Sequence, residues 1–529
     1  MDKQLPPLIQ ALHNPACYGH PVQDIRVVET HISWVLLTGS FAYKIKKPVD
    51  FGFLDFSALE KRRFYCEEEL RLNRRLAPQL YLDLVRITGA PTAPVLNGPG
   101  EVIEYAVKMV QFPQEAQLDR LLAHGVLGPE HIDLLAQELG EFHGRIDIAG
   151  NNKPFGEPDN VYEPVHQNFE QIRPRIDPQD QAQLRRLEIW SELTFAELRQ
   201  FFVERKHQGY IRECHGDAHL ANMAWIERRV VLFDCLEFNA NLRWIDTMSE
   251  LAFLVMDLDD RGRPDLARRA LNAYLEHTGD YAGLGVFRFY LVYRALVRAK
   301  VACIRLRQSG LSEREQQQAR DQYHGYADLA DRYTQASTAA LIITHGLSGS
   351  GKTTVTQSLL ETWDAVRVRS DVERKRLHKL ASQARSGSGI DMGLYSIEAG
   401  QRTYAHLATL AEIILRAGYT AIVDAAFLKR AQRDRLHAVA TQMQAPFVIL
   451  DIGAPENVLR ERVRRRAQRG HDASEADLAV LAHQLATQEP LTAEELPHVI
   501  TLDSEYPPDM DALVQTLRER ARPAPDPPA

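Results

Sequence analysis

The residues with the most specific chemical pattern lie at positions 346–353. They read Gly-Leu-Ser-Gly-Ser-Gly-Lys-Thr, which matches the pattern GxxxxGK[ST] at every fixed position. An apolar segment at 340–344 precedes them, and a helical pattern follows at 354–360. Glycines in such a loop let successive backbone N–H groups point at phosphate oxygens, at a helix N-terminus that favours anions. The segment therefore predicts a site for the phosphates of a nucleotide.

The side chains of this loop have separate predicted roles. Lys352 would neutralise the β- and γ-phosphates, and the Thr353 hydroxyl would ligate Mg²⁺. The sequence has no GTPase-type Asn-Lys-x-Asp segment, so ATP is favoured over GTP as the nucleotide. The other loop residues that we expect to contact the nucleotide are Gly346, Ser348, Gly349, Ser350, Gly351 and Thr354.

A carboxylate and an arginine follow the next predicted strand, at 365–369. Asp371 comes directly after it, and Arg374 stands three residues further on. Ligands of parallel sheets bind at the carboxyl ends of the strands, where Asp371 could accept a hydroxyl proton and Arg374 could hold a phosphate. The same segment also fits a helix that begins at Val372 and is capped by Ser370 or Asp371. The spacing alone leaves both interpretations open.

Two later features could also belong to this site. The strand pattern at 419–424 ends with Asp424, which could hold the water shell of Mg²⁺ or could simply be a turn residue. The helical stretch 459–470 then carries six arginines. Such a run is commonly a solvated helix face, but beside a phosphate loop it could be a lid that closes arginines over the nucleotide.

A second group of reactive residue types lies in the first half of the chain. His215, Asp217 and Asn222 have the His-x-Asp-x-x-x-x-Asn spacing of a protein-kinase catalytic loop, and we expect His215 and Asp217 to be catalytic residues. At that spacing Asp217 would orient and deprotonate an acceptor hydroxyl, and Asn222 would ligate Mg²⁺. The apolar strand at 230–233 then ends at Asp234, which we expect to be the second metal ligand.

A lysine for the phosphates of this second site is predicted on an early hairpin. Segments 33–37 and 41–46 read as its strands, and the second contains Ala42-Tyr43-Lys44-Ile45, which parallels the Val-Ala-Ile-Lys pattern of kinases. The alternative for Lys44 is an ordinary exposed strand lysine, and Lys46 lies on the same face two residues later. The motif alignment favours Lys44. Among the acidic residues of the next helix, Glu69 is our choice of partner for Lys44. Kinases have a glycine-rich loop with the pattern GxGxxG at this turn, and this sequence has only Gly39 there.

Two domains must position these residues. Short strands followed by long helices up to about 335 predict an α+β kinase-like domain, with a small lobe at about 20–115 and a helical lobe at about 116–335. Alternating strands and helices at 340–510 predict an α/β P-loop domain with a parallel sheet. We expect 511–529 to hold the end of a helix and a disordered proline-rich tail. The polar stretch 305–337 is either a helical connector or the last helix of the first domain.

Composition restricts the class of protein. The apolar fraction of 45% and charged fraction of 25% are those of a globular protein, and the net charge of −8 argues against a surface coated with nucleic acid. No apolar run reaches the length of a membrane span, and no signal-peptide core is visible near the N-terminus. The five cysteines form no CxxC pair, which disfavours a zinc site or a disulfide scaffold. We therefore expect a soluble, cytoplasmic protein.

Both halves resemble known phosphotransferases. The order of phosphate loop, Asp-x-x-Arg, strand-end Asp and arginine-rich helix over about 341–502 resembles P-loop kinases, most closely the predicted kinases related to zeta toxin and polynucleotide 5′-kinase. This resemblance implies that Asp371 is the base or hydroxyl ligand, that Arg374 contacts substrate or phosphate, and that Arg462 and Arg466 are lid residues.

The first half resembles the aminoglycoside phosphotransferase branch of the kinase-like fold. The shared feature is the His-Gly-Asp loop, and Asp234-Cys235-Leu236-Glu237 replaces the Asp-Phe-Gly of regulated protein kinases. The resemblance implies a structural role for Asp246. Together the halves are similar to bacterial fusion proteins described as bifunctional aminoglycoside phosphotransferase-like and ATP-binding proteins.

The sequence therefore predicts an ATP- and Mg²⁺-dependent phosphotransferase with two nucleotide sites. A carboxylate base implies hydroxyl acceptors, which could be aminoglycoside-like sugars, other small alcohols, nucleotides or nucleic-acid ends. Two alternatives stay open. In one, only the P-loop half is a kinase and the first half is a nucleotide-sensing module. In the other, the P-loop half is an ATPase that drives a conformational change.

Overall fold

The chain forms two compact units in a computed structural model that describes residues 5–52, 54–307, 311–335, 338–381, 396–469 and 476–521. Met1–Asp257 and Tyr293–Ala327 make up the N-terminal unit. Leu258–Val292 and Asp328–Ala529 make up the P-loop unit. In the sequence, residues 258–292 fall within the predicted first domain, but they pack with the P-loop unit. The proline-rich segment 522–529 lies outside the described residues.

The N-terminal unit begins with a six-stranded antiparallel sheet of order β1-β2-β3-β6-β4-β5. The predicted hairpin is present, with Val35 of one strand opposite Lys44 of the other. Gly39 lies in its turn with φ of +93°, a conformation that glycine adopts without strain. The strands are β1 Arg26–Glu29, β2 Ser33–Leu37, β3 Phe41–Lys46, β4 Tyr81–Ala90, β5 Ala93–Leu96 and β6 Val102–Val110.

Alternating side chains of this sheet face two different cores. Tyr43, Ile45 and Ala106 belong to one core, whereas Tyr105 and Val107 belong to the other. Because the period of a strand is two, Lys44 points to the opposite face of β3 from its neighbours. The first helices of the chain are α1 Pro7–Ala11 and α2 Leu59–Asn73.

Helices form most of the remaining N-terminal unit, together with two small antiparallel sheets, β7 with β10 and β8 with β9. The short strands are β7 Ile211–Glu213, β8 Met223–Ile226, β9 Arg229–Leu232 and β10 Trp244–Asp246. The next helices in chain order are α3 Leu118–Ala123, α4 Pro129–Arg145, α5 Pro158–Ile172, α6 Gln181–His207, α7 Thr247–Asp260, α8 Pro264–Thr278, α9 Leu284–Leu306 and α10 Glu313–Thr334. Helix α8 lies in the P-loop unit, and α7, α9 and α10 have residues in both units.

The P-loop unit contains the predicted parallel sheet, with five strands in the order β12-β13-β11-β14-β15. The predicted fold class, an α+β kinase-like domain followed by an α/β P-loop domain, is confirmed. The strands are β11 Leu341–His345, β12 Ala365–Arg369, β13 Thr420–Asp424, β14 Phe447–Gly453 and β15 Val499–Asp503. The helices are α11 Lys352–Thr362, α12 Ser370–Leu377, α13 Ile397–Arg416, α14 Arg430–Gln442, α15 Glu456–Arg469, α16 Leu478–Thr487 and α17 Met510–Arg520.

The core of this sheet extends to the last described helix. Ile342, Leu450 and Leu359 pack with Leu513 and Leu517 of α17. Residues 510–521 are therefore part of the P-loop unit's core. The carboxyl ends of β11, β12 and β13 meet at one edge, since all strands run parallel. Within the described residues, no helix is both long enough and apolar enough to cross a membrane.

Candidate active sites

A cavity of about 560 Å³ in the N-terminal unit brings four of the predicted residues together. Lys44 reaches it from β3, while Asp217 and Asn222 reach it from the loop before β8. Asp234 reaches it from the segment after β9. The β8–β9 hairpin explains this meeting, because an antiparallel pair returns the chain to the place where it began.

Asp217 and Asn222 are joined by hydrogen bonds. The Asn222 amide nitrogen donates to the Asp217 carbonyl oxygen at 3.0 Å and to its carboxylate at 2.9 Å. His219 Nε2 lies 3.4 Å from the same carboxylate. Burial works to raise the pKa of Asp217, but the contact with His219 and the charge of Arg298 outweigh it, so the pKa lies below its usual range. Asp217 is therefore an ionised carboxylate at neutral pH.

His215 is fully buried and does not line this cavity. Its Nδ1 accepts a hydrogen bond from the Asp217 backbone N–H at 3.3 Å, and its Nε2 lies 2.9 Å from the Phe233 carbonyl oxygen. The ring thus joins the loop that carries Asp217 to the strand end that leads to Asp234. These contacts favour a positioning role for His215 over the predicted catalytic one.

Glu250 of α7 holds the same loop and was not identified by its spacing in the sequence. Its carboxylate is fully buried and accepts backbone hydrogen bonds from His215 at 3.0 Å and Gly216 at 2.6 Å. His143 of α4 contacts it at 3.0 Å. Burial would raise the pKa of Glu250, but the hydrogen bond from His143 and the nearby imidazoles lower it to about 2.

The predicted lysine–glutamate pair is part of a larger buried network. Lys44 Nζ lies 2.8 Å from Glu69 Oε1 and also contacts Asp234. Lys46 Nζ lies 2.6 Å from the other oxygen of Glu69 and contacts Glu237. Both lysines are buried, but only Lys44 lines the cavity. Burial opposes ionisation of Lys44, yet the carboxylates of Asp234 and Glu69 raise its pKa above the usual range.

Asp234 has an uncommon backbone conformation. Its φ is +63°, in the left-handed region that non-glycine residues seldom adopt. Two hydrogen bonds fix the backbone there: the Asp234 N–H donates to the Tyr81 hydroxyl at 3.0 Å, and the Cys235 N–H donates to Asn73 at 2.9 Å. The structure thus directs this carboxylate into the cavity. Asp246, for which the resemblance implied a structural role, is buried in a bidentate pair with Arg205 at 2.5 and 2.7 Å.

A second cavity, of about 490 Å³, lies at the carboxyl edge of the parallel sheet in the P-loop unit. The predicted residues that line it are Ser348, Gly349, Gly351, Lys352, Thr353, Thr354, Asp371, Arg374, Asp424, Arg462 and Arg466. Gly346 and Ser350 belong to the same loop but not to the lining. Arg369, Tyr404 and Lys429 also face the cavity and were not predicted.

The loop has the geometry that its glycines require. Gly346 has φ of +145°, and a Cβ there would lie 2.3 Å from the Ile452 carbonyl oxygen, so another side chain is excluded. Lys352 Nζ donates to the carbonyl oxygens of Gly346 at 2.9 Å and Leu347 at 2.8 Å. Burial lowers the pKa of Lys352 to about 8, against the opposing charges of Asp424 and Asp371. The lysine is thus held at the loop by contacts that a phosphate could replace.

The acidic residues at the strand ends are placed differently from each other. Asp424 is buried, and its carboxylate accepts a hydrogen bond from the Thr356 hydroxyl of α11 at 3.2 Å. Asp371 lies 3.1 Å from Arg374 Nη1. Helix α12 begins at Ser370, and its N-cap position is Arg369, which makes no side-chain cap. The alternative that Ser370 or Asp371 caps a helix beginning at Val372 is therefore wrong.

The two arginines predicted to form a lid lie in the lining of this cavity. Arg462 Nη1 donates to the Gly349 carbonyl oxygen at 3.4 Å and to the Ser504 hydroxyl at 2.9 Å. Arg466 Nη2 donates to the Ala476 carbonyl oxygen at 2.8 Å. Their positive charges therefore lie beside the phosphate loop.

Both cavities offer oxygen donors, the ligands that Mg²⁺ prefers. In the N-terminal cavity these are the Asp234 carboxylate and the carbonyl oxygen of Asn222, whose amide nitrogen is used for Asp217. In the P-loop cavity they are the Thr353 hydroxyl and the Asp424 carboxylate. The residues present therefore fit Mg²⁺ at both sites.

Comparisons with known proteins find a different family model for each half of the chain. A family model described as "Phosphotransferase enzyme family" matches residues 62–287, and one described as "AAA domain" matches residues 341–491. An uncharacterized protein of Mycobacterium tuberculosis (strain ATCC 25618 / H37Rv) is 30% identical over 474 residues, which cover 89% of this chain and 92% of that protein. A protein of Mycobacterium bovis matches over the same length with the same identity.

The chain belongs to the family of fusion proteins that join an aminoglycoside phosphotransferase-like domain to a P-loop kinase-like domain. It is an enzyme of the kinase and phosphotransferase class. Similar solved structures include a choline/ethanolamine kinase family protein from Mesorhizobium loti, with 11% identity, a TM-score of 0.39, and coverage of 62% of this chain and 96% of that chain. A putative kinase from Chloroflexus aurantiacus has 24% identity, a TM-score of 0.29, and coverage of 35% and 100%.

Proposed function

We propose that this fusion protein has two separate ATP- and Mg²⁺-dependent phosphotransfer sites, each of which transfers the γ-phosphoryl group to a hydroxyl. One observation carries the proposal: each cavity combines a lysine, oxygen donors for a metal and a further carboxylate. In the N-terminal cavity these are Lys44, Asn222, Asp234 and Asp217. In the P-loop cavity they are Lys352, Thr353, Asp424 and Asp371.

At the N-terminal site, Asp217 would accept the proton of the acceptor hydroxyl as the hydroxyl oxygen attacks the γ-phosphorus, the bond from that phosphorus to the β–γ bridging oxygen breaks, and ADP leaves. The hydrogen bond from Asn222 orients this carboxylate, and its lowered pKa keeps it ionised. Lys44 would contact the phosphates and still be held by Glu69. Bound Mg²⁺ would neutralise charge on the phosphate oxygens. Phosphoryl transfer has little covalent chemistry for a protein to perform, so positioning is the main contribution of these residues.

At the P-loop site, Lys352 would exchange its contacts with loop carbonyl oxygens for contacts with phosphate. Arg462 and Arg466 would stabilise the charge that develops on the transferred group. Asp371 would accept the hydroxyl proton, with Arg374 beside it to orient the carboxylate or to hold the acceptor. The acceptor classes are those of the sequence interpretation: sugars, other small alcohols, nucleotides or nucleic-acid ends.

The test is phosphate transfer by the full chain from labelled ATP to a panel of sugar, aminoglycoside, nucleoside and oligonucleotide alcohols. Asp217→Asn should abolish transfer to one subset of acceptors, and Lys352→Ala should abolish transfer to another. Asp83→Asn and Arg435→Ala are matched controls, because both residues are exposed and line neither cavity. If Asp217→Asn changes no transfer, the N-terminal unit is a nucleotide-sensing module instead. ATP hydrolysis without transfer to any acceptor would favour the ATPase alternative for the P-loop unit.

A further inference from the structure

Helix α8 covers an open edge of the parallel sheet in the P-loop unit. Strand β12 is the edge strand, so among the residues that the structure describes no strand lies on one side of its backbone. The Asn272 side chain accepts a hydrogen bond from the Arg367 backbone N–H at 2.8 Å and donates one to the Ala365 carbonyl oxygen at 3.0 Å. It thus pairs with β12 as the peptide group of a further strand would.

Glu276 lies one turn after Asn272, on the same side of α8. Its carboxylate contacts two arginines of β12, Arg369 at 2.9 Å and Arg367 at 3.5 Å. Arg367 is buried, and burial lowers the pKa of its guanidinium while Glu276 works to raise it. Glu276 is therefore the acidic partner that this buried cation needs.

Arg367 connects Glu276 to the metal-binding side of the cavity. Its Nη1 donates to the Thr353 carbonyl oxygen at 3.3 Å and to the Thr356 hydroxyl at 3.4 Å. Thr356 in turn donates to Asp424 at 3.2 Å. The contacts thus run from α8 through one arginine to both candidate metal ligands, Thr353 and Asp424.

Further contacts fix both ends of α8. Near its start, Arg268 donates to the Glu361 carbonyl oxygen of α11 at 3.0 Å. At its end, Arg376 of α12 donates to the Glu276 carbonyl oxygen at 2.5 Å. Gly279 follows with φ of +77°, and a Cβ there would lie 2.8 Å from Arg376 Nη1. The helix is thereby tied to α11, which begins with Lys352, and to α12, which carries Asp371.

We propose that helix α8 is a working part of the P-loop site and that Glu276 is a positioning residue for its metal ligands. The helix lies inside the region 62–287 that matches the phosphotransferase family. A helix from that region of the sequence is therefore part of the P-loop site. This inference rests on the proposed nucleotide and Mg²⁺ site at Lys352 and Thr353.

Glu276 and Arg367 carry opposite charges, and these charges have opposite effects on the binding of Mg²⁺ and on the binding of the ATP phosphates. Without Glu276, the Arg367 charge would act on the cavity without its counterion. A positive charge that is not neutralised disfavours Mg²⁺ and favours a polyphosphate anion. Loss of Glu276 should therefore raise the Mg²⁺ concentration that ATP binding requires, without weakening the binding of ATP in the absence of metal. A purely structural defect would weaken both.

The experiment measures ATP binding by the full chain during Mg²⁺ titration. The part of the binding that is lost in Lys352→Ala is assigned to the P-loop site, and only this part is analysed. In Glu276→Gln the Mg²⁺ concentration for half-maximal binding should rise roughly three- to tenfold, while ATP affinity in EDTA stays equal or increases. Glu412→Gln, in an exposed pair with Arg416 on α13, is the matched control and should match the wild type. Thermal unfolding of each variant is measured in parallel.

Second variants keep the test decisive if Glu276→Gln folds poorly. Arg367→Met alone should lower the Mg²⁺ requirement, and combined with Glu276→Gln it should restore a requirement close to that of the wild type. Asn272→Leu should lower the unfolding temperature and leave the Mg²⁺ requirement unchanged. If Lys352-dependent binding is present and the Mg²⁺ requirement of Glu276→Gln is unchanged, the inference about Glu276 is overturned and the proposed P-loop site is not. If Lys352→Ala removes no binding, the proposed site fails, and the inference fails with it.

Discussion

Lys44 and Lys46 lie two residues apart on strand β3, and both contact Glu69. Their other partners separate them. Lys44 contacts Asp234 in the cavity, whereas Lys46 contacts Glu237 and is only 1% exposed. The same residue type on the same face of one strand therefore has two different environments.

We predict that Lys44→Met and Lys46→Met affect different properties. Lys44→Met should weaken nucleotide binding at the N-terminal site, and the fold should persist because Glu69 keeps Lys46. Lys46→Met leaves Glu237 buried without its lysine, which should cost about 3 to 5 kcal/mol of stability. Calorimetric titration with Mg·ATP and chemical unfolding of both variants provide the measurements. Equal losses of stability in the two variants would contradict the assignment.

Asp371 gives a second prediction at this scale. Asp371→Asn preserves the shape of the side chain and an oxygen for Arg374, but it removes the proton acceptor. Transfer at the P-loop site should fall roughly 10²- to 10⁴-fold, with ATP affinity nearly unchanged. Asp434→Asn, at an exposed position of α14, serves as the control. Transfer at the wild-type rate by Asp371→Asn would remove this residue from the chemistry.

Buried polar side chains on helices hydrogen-bond to the backbone of the segments that carry the candidate site residues. Glu250 of α7 receives two backbone N–H groups of the loop that carries Asp217, and His143 of α4 completes the cluster. In the P-loop unit, Asn272 of α8 makes the corresponding contacts, with one backbone N–H group and one carbonyl oxygen of β12. In both units a helix side chain replaces a backbone partner, because a buried N–H group must be paired.

The lowered pKa of Glu250 gives a pH-dependent prediction. Its folded-state pKa of about 2 lies below the ordinary value of 4.5, so its contribution to stability is present above pH 4.5 and is lost as the pH falls toward 2. Glu250→Gln should destabilise the N-terminal unit by roughly 3 kcal/mol at pH 7, and the difference from wild type should shrink below pH 4.5. Unfolding curves between pH 7 and 3 test this, with exposed Glu141→Gln as the control. A difference that does not depend on pH would exclude the charge as its cause.

The two cavities of the molecule lie in different compact units, and each has its own lysine and its own candidate metal ligands. The P-loop unit is not one continuous stretch of sequence, since it includes Leu258–Val292. The chain therefore cannot be cut near residue 335 without removing α8 from β12.

We predict that the full chain binds two Mg·ATP molecules. Lys352→Ala should reduce the stoichiometry to one by removing the phosphate counter-charge of the P-loop site. Asp234→Ala should also reduce it to one by deleting a metal ligand of the N-terminal site, and the double variant should bind none. Isothermal titration calorimetry measures these numbers. Two bound nucleotides in either single variant would show that the altered residue does not belong to a nucleotide site.

Short-range patterns in the sequence determined the P-loop and the His-x-Asp-x-x-x-x-Asn loop. Their chemistry depends on backbone conformation and on residues a few positions apart, so both segments could be read without the fold. The hairpin of β2 and β3 and the parallel sheet followed from hydrophobic periodicity and turn residues. The two-domain phosphotransferase class of the protein also followed from these local signals.

Only the tertiary structure decided which of several equivalent residues reach a cavity. The motif alignment favoured Lys44 over Lys46 on the same strand face, and the fold shows that Lys44 is the one of the two that lines the cavity. Asp371 fitted a helix cap equally well, and local spacing could not separate that alternative. Glu250 and Glu276 act on residues far away in the sequence, and nothing in their local neighbourhood marks them. Their roles arise from burial, because a charge or a backbone N–H group removed from water needs a partner, and the fold alone determines which residue supplies it.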